Sequence, residues 1–520
     1  MWTTARTYLV ELITLPATIL IAQLLSPFDF GVAAIATFFG RLAARVSNAG
    51  MGSALVRVKV LRDEHVSSIF VANLAVTAIA ALALLGMAPY IARFYRAPEV
   101  ASLIPLVTLD FVFSALSMVS QALLTRSMRY REMATLGAAD TITAAVASVL
   151  FAWFGLGYWS IVLGAVCGSG VKWAWGVKLV GWQVSFKYVP SAARELLSFA
   201  AGTYTRGLLE YVSLSIDNLI VGRVLGVTAL GFYDKAFSSA QRTYNKLTVG
   251  GPSVSFRALA MLQDEPERFQ RAFEKIVISS TLVTYGVFAV FGAMGPHIIV
   301  FLFGEKWRES IVPFQLLCLA GALKASNAFG GAAANAKGWI WSNVWRQAVQ
   351  MICIAVGVYV AAPWGINGAA LAVVVSAGVM FLLTLSMVRA ATGLGWLNQL
   401  RPHVPGLSLA LILGGLVWGI DVAFKAAGTP PHVVVLLVQG AVAALAAAAA
   451  LRWTPFPSVA AVVHEIASDV SPKLAAILAP NHQVEGTVKR HKPGPPSVST
   501  ARPSKAQPGG GIAGPRSSGR

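Results

Sequence analysis

Long apolar runs separated by short polar loops make up most of the chain. Each run holds about 20 residues, which is the length that an α-helix needs to cross roughly 30 Å of hydrocarbon. The runs lie near residues 7–25, 31–56, 66–88, 101–124, 134–153, 157–179, 197–223, 229–250, 274–294, 311–334, 340–361, 366–388, 404–424 and 432–451. This pattern predicts an all-α integral membrane protein with about 14 spans.

Polar residues at helical spacing interrupt the two runs between residues 197 and 250. Before and after the turn at 226–231, polar side chains fall at offsets 0, 4, 7 and 11, on one face of each helix: Arg206, Glu210, Ser213 and Asp217, then Lys235, Ser239, Arg242 and Lys246. A charge at the bilayer centre costs about 2.5–3.5 kcal/mol on insertion scales, so such residues normally face a protein interior or a water-filled cavity. The two stripes therefore predict a hydrophilic cavity.

Three other spans carry similar polar faces. These are the second span (Thr37, Arg41, Arg45, Asn48, Gly52), the fourth (Asp110, Ser114, Ser117, Gln121) and the tenth (Lys324, Asn327, Asn335). The second and eighth spans both carry cations, so we expect similar cavity linings in both halves of the chain. The last two spans lack such stripes, with Asp421 as their only clear charge, and we interpret them as appended.

Short matching segments indicate two copies of a six-span unit. Residues 24–25 and 30–31 match 224–225 and 230–231 at an offset of 200, and MAPYI at 87–91 matches MGPHI at 294–298 at an offset of 207. Six spans separate the copies, so both have the same predicted topology, related by an axis along the membrane normal. The predicted order is an N-terminal six-helix bundle at 1–180, an interfacial linker at 181–196, a C-terminal six-helix bundle at 197–390, two further transmembrane helices at 404–451, and a basic, largely disordered cytoplasmic tail at 452–520.

Composition agrees with a membrane protein and argues against nucleic-acid binding. Hydrophobic residues make up 56% of the chain and charged residues 12%, against about 25% in soluble domains. The net charge of +19 is spread over short loops and the polar tail, with no basic domain. If the N-terminus is cytoplasmic, the basic loops fall on the cytoplasmic side along the whole chain, which puts both termini there. The three cysteines and the seven histidines show no spacing of a disulfide framework or a metal site.

Five segments in order along the chain resemble the oligosaccharide flippase branch of the multidrug/oligosaccharidyl-lipid/polysaccharide flippase superfamily. They are LLSPFDFG at 24–31, SSIFVANL at 67–74, QALLTR at 121–126, DNLIVGR at 217–223 with LGFY at 230–233, and FGEKW at 303–307. This resemblance implies a bacterial inner-membrane protein that moves lipid-linked sugar units in O-antigen, capsule or exopolysaccharide assembly. It further implies two six-helix bundles that open alternately to each side, and it does not imply which sugar is moved.

The cations of the polar stripes are the candidate substrate-binding residues: Arg41, Arg45, Arg206, Arg242, Lys246 and Lys324. A guanidinium group suits the diphosphate or acidic sugars of an undecaprenyl-diphosphate-linked oligosaccharide, because its planar donors bind two oxygens at once. The alternative is internal pairing, of Arg206 with Glu210 or of Arg242 with Asp217. The excess of cations over carboxylates favours an anionic partner.

Glu210, Asp217 and Asp110 are the candidate sites for a coupling proton or sodium ion. The alternative for each is a structural salt bridge or helix contact, which we favour for Asp217. Apart from such an ion we expect no cofactor and no metal.

A flippase is the leading functional hypothesis, and the protein is then a membrane-embedded monomer that meets lipid, its substrate and other polysaccharide-assembly proteins. One alternative is a cation-coupled multidrug antiporter, which needs an acidic cavity. Another is a membrane-embedded polysaccharide polymerase, which typically has a large periplasmic loop. The longest such loop here, around 86–101, is short, and we expect the protein not to be an enzyme.

Overall fold

A computed structural model describes residues 2–48, 51–58, 60–181, 186–190, 211–213, 215–428 and 430–452. Regular structure in these ranges is helical and includes no β-strand. The first helices are α1 (Trp2–Leu24), α2 (Pro27–Asn48), α3 (Met51–Arg57), α4 (Asp63–Tyr95), α5 (Pro98–Leu116), α6 (Met118–Arg126), α7 (Tyr130–Trp153) and α8 (Trp159–Val180). The later helices are α9 (Ile216–Val224), α10 (Val227–Thr248), α11 (Gly251–Ala260), α12 (Pro266–Ala293), α13 (Gly295–Phe303), α14 (Ile311–Ala336), α15 (Ile340–Ala361), α16 (Gly365–Thr392), α17 (Trp396–Leu400), α18 (Val404–Ala427) and α19 (His432–Arg452).

Ten helical segments within the described ranges are long and apolar enough to cross a membrane. A helix satisfies its own backbone hydrogen bonds, which hydrocarbon requires of any spanning segment. The prediction of an all-α, multi-pass membrane fold is therefore confirmed. Each predicted apolar run overlaps a helix, but the exact number of crossings stays a prediction. Helix α10 is not among the ten segments because it carries the predicted stripe of charged residues.

The start of α2 follows from its sequence. Pro27 is the first helical residue, where its missing N–H costs no hydrogen bond. The Asp29 carboxylate accepts hydrogen bonds from the backbone N–H of Ser26 at 2.8 Å and from the Ser26 hydroxyl at 2.6 Å. The Asp29 backbone N–H in turn donates to the Ser26 hydroxyl at 3.2 Å. This reciprocal cap satisfies donors that the first turn would otherwise leave unpaired, and it determines where α2 begins.

Helices α7 and α8 pack closely through small residues. A Cβ atom added to Gly164 would lie 1.9 Å from the hydroxyl oxygen of Ser148, and one added to Gly168 would lie 2.6 Å from the backbone oxygen of Asp140. Small residues four apart let two helix backbones approach, which gains van der Waals contact that lipid does not oppose. Gly164 and Gly168 are thus packing residues.

Helices α2 and α10 cross in direct backbone contact near their first turns. A Cβ atom on Gly31 would lie 1.9 Å from the Val227 carbonyl oxygen, and one on Gly231 would lie 1.8 Å from the Pro27 carbonyl oxygen. The two contacts exchange under the offset of 200 residues, since 27 corresponds to 227 and 31 to 231. We call this contact the glycine crossing. A two-fold relation between the two predicted halves passes through it.

The 3₁₀ turn that follows α13 extends this contact to α1. The Trp307 indole N–H donates to the Ala22 carbonyl at 2.9 Å, and Trp307 is 0% exposed. The Lys306 ammonium donates to the carbonyl oxygens of Gln23 and Leu25 at 2.6 and 2.7 Å. We call these contacts, together with the glycine crossing, the seam. The seam holds the two predicted halves together at the end of the molecule where α2 and α10 begin.

The last two helices are tied to the C-terminal half by a polar cluster. Asp421 of α18 is buried, and its carboxylate lies 2.7 Å from Nε2 of His297 and accepts from the Lys425 ammonium at 2.6 Å. His297 Nδ1 lies 2.9 Å from Nδ1 of His432, so one imidazole donates a hydrogen bond and the other accepts it. The interpretation of Asp421 as an isolated charge on appended helices needs correction, because α13, α18 and α19 meet at this carboxylate.

Replacing Asp421 with asparagine is expected to lower the free energy of unfolding by about 1–3 kcal/mol, because His297 and Lys425 lose a buried acceptor. The measurement is thermal unfolding of the purified protein in detergent. The matched control is Glu305→Gln, which breaks an exposed ion pair with Arg308 at 3.0 Å and should change stability by less than about 1 kcal/mol. Equal unfolding midpoints for the two variants would contradict a stabilising role of the cluster.

Parts of two predicted domains lie outside the described residues. Of the predicted linker at 181–196, the structure describes residues 186–190, where the Val189 backbone N–H donates to the Ser68 hydroxyl at 2.9 Å. The predicted basic tail falls beyond residue 452, outside the described ranges.

Candidate functional site

A polar cavity of about 460 Å³ lies between α2 and the α9–α10 pair, next to the glycine crossing. We call it the central cavity. Its polar lining comes from the two predicted halves: Thr18, Thr37 and Arg41 from the first, and Ser215, Asn218, Asp234, Lys235, Ser238 and Arg242 from the second. The hydrophilic cavity expected from the polar stripes is thus present, at the interface between α2 and α10.

Helix α2 contributes Thr37 and Arg41, which are one turn apart on the same face. Arg45, one turn further, places its guanidinium carbon 5.0 Å from the centre of the Tyr211 ring. Tyr211 stacks on Phe38 with ring centres 5.4 Å apart, and its hydroxyl donates to the Phe38 carbonyl at 3.2 Å. Arg41 therefore faces the central cavity, whereas Arg45 packs on the aromatic residues beside it.

Helix α10 contributes Lys235, Ser238 and Arg242, at offsets 0, 3 and 7 along one face. The Arg242 guanidinium lies 3.4 Å from the Thr18 hydroxyl of α1, so it reaches across the cavity to the other half. Asp234 also lines the cavity, and its carboxylate accepts a hydrogen bond from the Asn218 amide at 2.9 Å.

Lys235 is surrounded by aromatic rings. Its side chain is buried, with 3% exposure, and its Nζ lies 4.6 Å from the ring centre of Phe30, 4.1 Å from that of Phe303 and 5.5 Å from that of Trp307. The negative ring faces attract the ammonium group, and the attraction is stronger where water is excluded. Among the described residues no carboxylate lies within 4.0 Å of this ammonium group. The cage joins α2 of the first half to the seam.

The central cavity is net positive. The charged side chains that line it within the described ranges are three cations, Arg41, Lys235 and Arg242, and one carboxylate, Asp234. Internal pairing of these groups leaves an excess of positive charge in a partly desolvated space, where charge-assisted contacts are strong. The cavity is therefore suited to an anionic group, and its two guanidinium groups suit the oxygens of a phosphate or carboxylate.

A second cavity, of about 250 Å³, lies inside the C-terminal half. We call it the C-terminal pocket. Ser213, Asp217 and Lys324 line it, so the structure places Lys324 here and not in the central cavity. Asp217 is buried, and its carboxylate accepts from the Tyr233 hydroxyl at 2.9 Å and from the backbone N–H of Asn218 at 3.0 Å.

The alternative pairing of Arg242 with Asp217 is wrong. Asp217 lines the C-terminal pocket, whereas Arg242 points from α10 into the central cavity. The cation that acts electrostatically on Asp217 is Lys324. Helix α10 separates the two cavities, because Phe237, Gln241 and Tyr244 face one of them while Lys235, Ser238 and Arg242 face the other.

Asp110 belongs to a polar cluster in the N-terminal half. It has Ser169 as a hydrogen-bonding neighbour and lies within electrostatic range of Arg41 and Asp140. Asp140 forms an ion pair with Lys172 at 3.2 Å. A cavity of about 500 Å³ nearby is lined by Lys172 together with residues of the predicted stripes on the second and fourth spans: Gly52, Ser114 and Gln121.

The remaining candidates lie elsewhere. Lys246 forms an ion pair with Glu11 of α1 at 2.6 Å and is not part of the central lining, so its charge is balanced inside the protein. Arg206 and Glu210 lie outside the described residues. No group of three or more histidine, cysteine, aspartate or glutamate residues in the described ranges is arranged to hold a metal ion.

Sequence reasoning did not select Asp234, Asn218 or Arg346 as site residues. Arg346 lines the C-terminal pocket and is 3% exposed. Its signal in the sequence is an arginine within the apolar run at 340–361, which is costly in lipid and therefore points to an interior position. Lys235 belonged to a predicted stripe but was not among the proposed binding residues.

Similarity to known proteins covers most of the chain. It is 22% identical over 330 residues to the lipopolysaccharide biosynthesis protein WzxC of Escherichia coli, which covers 62% of this chain and 66% of that protein. It is 26% identical over 315 residues to the succinoglycan biosynthesis transport protein ExoT of Rhizobium meliloti, which covers 60% of this chain and 63% of that protein. The chain thus spans slightly less than two thirds of the length of these two relatives.

The fold is that of a solved transporter. The structure of the lipid II flippase MurJ in an inward closed conformation matches with a TM-score of 0.69 and 13% sequence identity, covering 86% of this chain and 97% of that one. The family model described as "Polysaccharide biosynthesis protein" matches residues 20–312, more than half of the chain and including the glycine crossing and both cationic helices. The chain therefore belongs to the polysaccharide biosynthesis protein family.

Proposed function

We propose that this protein is a flippase that moves a lipid-linked oligosaccharide across the bacterial inner membrane by alternating access. The unit is carried on a polyprenyl diphosphate, such as undecaprenyl diphosphate, and serves O-antigen, capsule or exopolysaccharide assembly. The observation that carries the proposal is the charge of the central cavity, with three cations and one carboxylate at the interface of two helix bundles. Family membership and the names of the relatives support the same function.

The geometry suggests how the cations act. Arg41 comes from one half and Arg242 and Lys235 from the other, so a bound diphosphate bridges the two halves. The lipid tail stays in the bilayer while the charged head occupies the cavity, where the cations replace the water that the phosphates lose. Release on the other side requires the two halves to separate at the seam. We infer that the glycine crossing is the contact that opens, because it has no interdigitating side chains.

The orientation is part of the proposal. Basic loops place both termini in the cytoplasm, so the seam lies at the periplasmic end and the substrate enters from the cytoplasmic side. Transport involves no catalytic step. The protein works as a monomer in lipid and meets other polysaccharide-assembly proteins through its product.

Coupling to a proton or sodium ion is proposed at Asp110 in preference to Asp217. Both carboxylate oxygens of Asp217 already accept hydrogen bonds from the protein, which suits a structural role. Asp110 instead lies near a second carboxylate, Asp140, and near Arg41 of the central cavity. An ion bound there would change the electrostatic field at a substrate-binding arginine. Glu210 stays a candidate.

The runner-up function, export of organic cations in exchange for a coupling ion, is disfavoured by the same charge count. A cationic drug would meet three positive groups and a single carboxylate in the central cavity, and like charges repel strongly where water is excluded. Efflux of cationic dyes by the purified protein would reverse this order.

The test is transport of a fluorescent polyprenyl-diphosphate sugar across proteoliposomes. We expect the protein to equilibrate the lipid between leaflets, and Arg41→Gln to slow this about tenfold, because one charge-assisted hydrogen bond is worth roughly 1.5–3 kcal/mol. The matched control is Arg308→Gln on the exposed surface, which should transport at the wild-type rate. Failure of the wild-type protein to move the lipid would reject the proposed function.

A further inference from the structure

The C-terminal pocket contains a buried arginine that no described residue neutralises. Arg346 lies in the first turns of α15 and is 3% exposed. Its Nη1 lies 2.8 Å from the sulfur of Met387, and its Nε is buried with no hydrogen-bond partner. Among the described residues it has no carboxylate within 4.0 Å. A buried guanidinium group normally has a counter-ion and filled donor positions, so this environment is incomplete.

The other charges of the pocket balance each other. Asp217 is the only carboxylate in the described lining, and it interacts electrostatically with Lys324. Its oxygens are also held by Tyr233 and by a backbone N–H, so it is not free to turn towards α15. Arg206 and Glu210 of the adjacent stripe carry opposite charges and lie outside the described residues. The described pocket therefore carries about one uncompensated positive charge, that of Arg346.

The rest of the lining offers neutral donors and acceptors. Four amide side chains face the space: Gln241, Asn327, Gln347 and Gln350. Amides bind the hydroxyl and carboxyl groups of sugars well, because each presents both a donor and an acceptor. The volume of about 250 Å³ equals roughly eight water molecules at about 30 Å³ each. This is room for one small anionic group with some of its water.

We propose that the C-terminal pocket binds an oxyanion, a carboxylate or a phosphate, held by the guanidinium group of Arg346 with Lys324 as the second cation. The planar donors of Arg346 supply two parallel hydrogen bonds, including the one from Nε that the protein leaves unmade. The anion has two sources. It is either an acidic group on the transported sugar unit, which rests on the proposed function, or a free anion from the cytoplasm, which does not.

The first experiment measures anion binding without transport. Purified full-length protein is heated with increasing inorganic phosphate, or with glucuronate, at constant ionic strength, and unfolding is followed by tryptophan fluorescence. A bound ligand raises the midpoint in proportion to the logarithm of its concentration above its Kd. We expect a saturable rise for the wild type and for Arg308→Gln, its loss in Arg346→Gln, and a weaker rise in Arg346→Lys, which keeps the charge but not the planar donors.

Equal rises in the wild type and in both Arg346 variants would overturn the proposal. So would a rise that Arg242→Gln abolishes and Arg346→Gln retains, because the anion would then occupy the central cavity. Arg346→Lys keeps the test valid if Arg346→Gln does not fold.

The second experiment separates the two sources. Proteoliposomes receive lipid-linked sugars that are identical except for one carboxylate. A substrate-borne anion predicts that Arg346→Gln slows the acidic unit at least tenfold and leaves the neutral unit unchanged. A free anion predicts equal effects on both units, together with the loss of phosphate binding. Transport of the neutral unit by the wild type tests the proposed function separately, so failure of one proposal is distinguishable from failure of the other.

Discussion

Replacing Gly31 with alanine is expected to abolish transport and to destabilise the contact between the two halves. The added Cβ would lie 1.9 Å from the Val227 carbonyl oxygen, a backbone atom that cannot rotate away. Helices α2 and α10 must therefore move apart, which also displaces Arg41 and Arg242 on those helices. Overpacking of this kind typically costs about 1–3 kcal/mol. The measurements are flipping in proteoliposomes and the unfolding midpoint in detergent.

The reciprocal geometry supplies a second variant and a control. Gly231→Ala should have the same effect as Gly31→Ala, because its Cβ would lie 1.8 Å from the Pro27 carbonyl oxygen. Gly86→Ala in α4 adds the same methyl group where no atom lies within 4 Å, so it should behave as wild type or be slightly more stable. Normal transport by Gly31→Ala would show that the two helices are not in obligatory contact.

The sequence predicted the segments that form the glycine crossing but not the crossing itself. The match of residues 30–31 to 230–231 indicated a duplication, and helix geometry explains each segment. A repeat does not reveal whether its two copies touch. They do touch here, because Gly31 and Gly231 lack the side chains that would keep the helix backbones apart. The contact depends on tertiary packing, which no local pattern encodes.

The candidate site was predicted in part for a similar reason. A stripe at helical spacing identifies residues that share a face, but not the element that this face meets. Arg41 and Arg242 both face the central cavity, whereas Asp217 and Lys324 meet across the C-terminal pocket. Under the offset of 200, Arg41 corresponds to Gln241, which lines the C-terminal pocket. One residue of register on α10 thus separates two cavities.

Contacts that join distant parts of the chain were beyond sequence reasoning. Asp421 and His297 are 124 residues apart, and nothing near either residue indicates the other. The aromatic cage of Lys235 likewise draws Phe30 from α2 and Phe303 and Trp307 from the segment around the seam. Aromatic residues in a membrane protein are common, so their convergence on one lysine has no local signature.

Replacing Lys235 with methionine is expected to slow transport about 100-fold while leaving stability nearly unchanged. Methionine has a similar length and packs well against aromatic rings, which gives about 0.3–1.5 kcal/mol per contact. It forfeits a cation–π attraction of about 2 kcal/mol but also removes the desolvation cost of a buried charge, and these terms oppose each other. Transport suffers because one of three cavity cations is lost from the most desolvated position. Flipping rates and unfolding midpoints are measured on the same preparations.

Lys306→Met provides the contrast that assigns the effect to charge in the cavity. Lys306 donates to two backbone carbonyl oxygens of the seam and is not part of the central lining. Its replacement should lower the unfolding midpoint, because two acceptors lose their donor, and should affect transport less than Lys235→Met does. If Lys235→Met instead unfolds at a much lower temperature and transports at the wild-type rate once folded, the cage is only a structural clamp. The substrate charge would then be carried by Arg41 and Arg242 alone.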